Sequence, residues 1–105
     1  GLVIGDRAFE QRKIPTFIYD LGSEWKKITG LPFVFAAWVS TKKLPADFIY
    51  LFTQANSLGL HHIDEIVEEE NFELYDMKKY YGLHLSYVLD EPKKRSMRKF
   101  LELIS

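Results

Sequence analysis

Short apolar runs mark the first part of the chain. They lie at residues 2–4, 16–19 and 31–39. The first and third runs lack the alternation of a half-exposed strand, and continuous apolar runs of this length are typical of strands buried on both faces. The second run is rich in β-forming residues. The pattern therefore predicts three strands in this part of the chain.

Helical spacing of apolar residues dominates the rest of the chain, between these runs and after them. The predicted helices cover residues 6–11, 21–28, 45–59, 63–70, 75–81 and 90–104, while residues 87–89 are ambiguous. Asp6, Asp20 and Asp90 stand where side chains cap helix starts, and Gly30 stands where a glycine with positive φ ends a helix. The predicted fold class is therefore α/β, with few buried strands followed mostly by helices.

Composition and charge narrow the classes of function. The chain holds 14 Lys and Arg against 15 Asp and Glu, so it lacks the basic excess typical of nucleic-acid-binding proteins. It has no cysteine, which excludes disulfides, thiolate nucleophiles and zinc held by cysteine. The longest apolar run contains Pro32 and is too short to span a bilayer. We expect neither a nucleic acid nor a membrane as partner.

The first apolar run begins almost at residue 1, without an initiator methionine or a polar lead-in. A strand buried on both faces needs neighbours on both sides, and this chain offers too few strands to complete a covered sheet. We therefore expect the sequence to be part of a longer polypeptide. Its strands should pair with another chain, or it should expose a hydrophobic patch.

Two segments resemble a known family. LVIGD at residues 2–6 and, above all, YDLGSEWKKITGLPFVFAAWV at residues 19–39 resemble the chorismate dehydratase family of the futalosine pathway of menaquinone biosynthesis. A sister enzyme of that pathway, 1,4-dihydroxy-6-naphthoate synthase, is similar at the T-G-L-P element. The sequence FVFA after Pro32 favours the dehydratase.

The resemblance implies a fold similar to that of type II periplasmic binding proteins, which have two lobes. Residues 1–105 would be the C-terminal part of a cytoplasmic enzyme, with residues 1–30 ending its second lobe and residues 31–105 returning into its first. The missing N-terminal half is the implied partner, and the fragment alone should be inactive. The implied reaction is a carbon–oxygen lyase step that dehydrates chorismate to 3-[(1-carboxyvinyl)oxy]benzoate and needs no cofactor.

Two other classes of function stay open. The implied fold is shared with solute-binding proteins, so the chain could belong to a binding protein without catalytic activity. A helical interaction module is the third class. Strands of a ligand cleft in a preceding segment would argue against that module, and a stable monomeric fragment would argue for it.

Gly5, Asp6 and Arg7 are the expected substrate-binding residues, because they follow a strand at the kind of strand end where open α/β sheets bind ligands. Arg7 offers charge to a substrate carboxylate. The structural alternative is that Asp6 caps the next helix, Gly5 permits the turn and Arg7 is simply exposed. The residues do not indicate which group is the catalytic base.

Asp20, Trp25, Gly30 and Pro32 are expected to be structural or to form a hinge. Asp20 should cap a helix and Trp25 should pack, while Gly30 and Pro32 should turn the chain beside a hinge between lobes. The aromatic residues that follow are expected to be core residues, although they could stack on a substrate ring. They are Phe33, Phe35 and Trp38.

His61 and His62, which are followed by Asp64 and Glu65, are the candidates for a metal site. Adjacent residues point to different faces of a helix, and no H-x-x-x-H or H-E-x-x-H pattern is present. The sequence therefore predicts no metal ion.

Overall fold

The computed structural model describes residues 1–14, 17–70 and 76–105. In these residues the regular structure is helical. The helices are α1 (Asp6–Gln11), α2 (Leu21–Thr29), α3 (Ala46–His61), α4 (Ile63–Glu70), α5 (Met77–Lys79), which leads into a π-helical turn (Tyr80–His84), and α6 (Glu91–Ile104).

The predicted α/β fold is wrong for the part of the chain that the structure describes, which contains helices and no strand or sheet. Residues 2–4, 17–19 and 32–39 are irregular segments, without regular secondary structure or a ladder partner. Thr16 of the second predicted strand lies outside the described residues. A β-prone sequence becomes a strand only when its N–H and C=O groups meet those of a neighbouring segment. The two-lobed fold that the resemblance implies depends on such strands, so the structure does not support it either.

The helix termini follow the local capping signals more closely. The carboxylate of Asp20 accepts a hydrogen bond from the Ser23 backbone N–H (2.9 Å), and α2 begins at Leu21, directly after Asp20. Gly30 ends α2 with φ of 72°. At α6 the Asp90 carboxylate accepts from the Lys93 N–H (3.1 Å). Both caps and the glycine stop were predicted, and all three are confirmed.

Two helix boundaries differ from the prediction. Helix α3 passes through Gly59 and ends at His61, because a glycine inside a helix costs only about 1 kcal/mol relative to alanine. The helix predicted at residues 75–81 is observed as α5 and the π-helical turn, and Tyr75 lies outside the described residues.

The chain divides into two compact units. One consists of Gly1–Trp38 and Tyr87–Ser105, and the other of Val39–Ser86. This division does not test the expected assignment of residues 1–30 to one lobe and residues 31–105 to the other, which stays a prediction. No helix in the described part of the chain is long and apolar enough to cross a membrane.

Apolar side chains are unusually exposed in both units. Within the described residues no hydrophobic side chain is fully buried, and the buried residues are Lys93 and Ser96. Large apolar side chains of the irregular segments and of α3 are exposed, among them Ile4, Phe17, Phe35, Trp38 and Leu51. The expected exposure of hydrophobic surface is therefore observed, whereas the strands expected to carry it are not.

Candidate functional site

An open groove lies beside α1 in the first unit. Its volume is about 660 Å³, which is within the range of small-molecule sites. The lining residues come from the first irregular segment and from one face of α1, and all of them are exposed. They are Leu2, Val3, Ile4, Arg7, Glu10 and Gln11. Of the three expected substrate-binding residues, Arg7 lies in this lining.

The start of α1 explains the roles of Gly5 and Asp6. Gly5 is the N-cap, with φ of 71° and ψ of −152°, a backbone conformation that is essentially restricted to glycine. Asp6 is the first helical residue and not the cap, so its predicted capping role is corrected. A carboxylate in the first turn still interacts favourably with the helix dipole. Gly5 and Asp6 therefore set the direction in which α1 leaves the apolar segment.

The groove combines an apolar wall with two opposite charges. Arg7 and Glu10 are three residues apart on α1, so both side chains lie on the same face of the helix. A guanidinium can bind a carboxylate through two parallel hydrogen bonds, and Leu2 and Ile4 offer apolar contact to a ring. Glu10 would repel an anion. The lining therefore offers one cation, one anion and apolar contact on a face that is open to solvent.

The segment that resembles the dehydratase family forms α2 and the stretch of chain that follows it. A Cβ atom added to Gly22 would lie 2.9 Å from the Phe35 ring and 3.3 Å from the Asp20 carboxylate. Real Cβ atoms essentially never approach a heavy atom to 2.9 Å. An added Cβ atom would therefore displace the tip of the Phe35 ring, which lies against α2 at Gly22, a contact that the sequence pattern did not indicate.

Trp25 lies at the centre of an aromatic cluster. Its ring meets Phe33 edge to face at 5.8 Å and Phe100 at 5.7 Å, and Phe33 also contacts Phe35 (5.2 Å) and Phe100 (5.4 Å). The indole N–H donates to the Ser96 hydroxyl (2.8 Å), and Ser96 is only 1% exposed. The cluster joins α2, the irregular segment at residues 32–39 and α6, so the predicted packing of Trp25 is observed.

The turn after α2 is held by Thr29. Its hydroxyl donates to the Trp25 carbonyl (2.8 Å) and accepts from the Leu31 N–H (3.1 Å). Gly30 has positive φ, and Pro32 begins the irregular segment at residues 32–39, where its missing N–H breaks no ladder. The predicted turn is present. The hinge role of Gly30 and Pro32 stays a prediction.

The buried lysine and the two adjacent histidines do not form a site. Lys93 is 9% exposed and its Nζ donates to the Val88 carbonyl just before α6. The ring of His61 bonds to the Ser57 carbonyl (2.8 Å), and that of His62 bonds to the Glu65 carboxylate (3.0 Å). No group of three or more potential ligands among the described residues is placed to hold a metal ion.

Comparison with known proteins gives a consistent picture at the level of sequence. A family model described as menaquinone biosynthesis matches residues 1–105. A chorismate dehydratase from Thermus thermophilus is 27% identical over 125 residues, which covers 98% of this chain and 46% of the relative. The chain thus spans about half the length of that curated relative. No solved structure matches the chain.

Proposed function

The chain belongs to the menaquinone biosynthesis family, and from this premise we propose that it forms part of an enzyme that dehydrates chorismate. The observation that carries the proposal is the likeness to a chorismate dehydratase over nearly the whole chain. The sequence FVFA after Pro32, which favours the dehydratase over its sister enzyme, supports the same reaction.

The proposed reaction makes modest demands on the protein. A proton leaves the ring carbon that bears the enolpyruvyl ether, the bond from the neighbouring carbon to its hydroxyl breaks, and water departs. The ring becomes aromatic, which supplies driving force, so the site has to hold two carboxylates, orient the ring and accept one proton. The product is 3-[(1-carboxyvinyl)oxy]benzoate. Because the loss of water is neither an oxidation nor a reduction of the molecule as a whole, the step needs no redox cofactor.

Within this chain, Arg7 is proposed to bind one substrate carboxylate at the groove beside α1. Arg7 shares the groove lining with Leu2 and Ile4, which supports the binding of a ring that carries a carboxylate. Gly5 and Asp6 act by directing α1 and are not proposed to touch the substrate. The remaining contacts, including the second carboxylate, would come from the missing N-terminal half of the same protein.

Turnover by the full-length protein tests the reaction and the site together. Incubation with chorismate and EDTA should give a product that is lighter by one water, detected by mass and by ultraviolet absorbance. Arg7→Ala should reduce kcat/KM by roughly tenfold to a hundredfold, the loss expected for one charge-assisted bond. Glu10→Gln on the same face is the control and should bind chorismate at least as tightly, because it removes a repelling charge.

Two outcomes would count against this function. If the wild-type protein leaves chorismate unchanged but binds an unrelated solute tightly, the result favours a binding protein without catalytic activity. If chorismate is dehydrated but Arg7→Ala and Glu10→Gln behave alike, the reaction stands and the groove beside α1 is not the substrate site.

A further inference from the structure

We draw no further inference here: the strongest candidate, the exposed surface patch that Lys94, Arg95, Arg98 and Lys99 form on α6, carries none because nothing in the structure shows what covers it.

Discussion

Glycine has opposite effects at two places in this chain. Gly30 has φ of 72° at the end of α2, a conformation that costs other residues roughly 1–2 kcal/mol. Gly59 lies inside α3, where nothing stands within 4 Å of an added Cβ atom. Only the flexibility of the unfolded chain distinguishes it from alanine there. The same residue type is therefore required at one position and unfavourable at the other.

The substitution Gly→Ala at these two positions should change stability in opposite directions. In urea unfolding of the full-length protein, Gly30→Ala should lower the free energy of unfolding by about 1 kcal/mol. Gly59→Ala should raise it by about 0.5–1 kcal/mol. A stabilising Gly30→Ala would mean that the turn after α2 has a negative φ in the intact protein, and the account of this turn would fail.

Among the helices, α2 and α6 show what local sequence can and cannot predict. Asp20, Gly30 and Asp90 act through neighbours a few residues away, so the helix ends could be predicted from the sequence. Gly22 and Ser96 act through residues that are distant in sequence: Gly22 admits the Phe35 ring, and Ser96 bonds to an indole 71 positions away. No local pattern encodes such a contact, which is why neither role could be predicted.

The predicted strands failed for a related reason. Residues 31–39 have the composition of a buried strand, but strand formation depends on a partner that supplies the ladder. The described part of the chain supplies none. At the groove, the sequence indicated Arg7 because it follows an apolar run and a glycine turn. Glu10 was not singled out, because its only signal is the three-residue spacing from Arg7 on a helix whose functional face was unknown.

The contact between Trp25 and Ser96 should contribute measurably to the packing of α2 against α6. Ser96→Ala in the full-length protein should lower the free energy of unfolding by about 1 kcal/mol, because the part-buried indole N–H loses its acceptor. Ser23→Ala is the matched control, because the cap uses only the backbone N–H of Ser23. In a double-mutant cycle with Trp25→Phe, a coupling energy near zero would contradict the hydrogen bond.

For the whole molecule, family membership and exposed surface point to the same account. The family model matches all of residues 1–105, while large apolar side chains such as Ile4 and Leu51 are exposed in the two units.

Menaquinone measurement in the source organism tests the central claim most directly. Deletion of the gene should abolish menaquinone, and feeding 3-[(1-carboxyvinyl)oxy]benzoate should restore it, whereas chorismate should not, because the cell already makes chorismate but can no longer dehydrate it. Restoration by an Arg7→Ala gene should be weaker than by the wild-type gene. Unchanged menaquinone after deletion, or a loss that the fed benzoate does not repair, would contradict the proposed dehydration of chorismate.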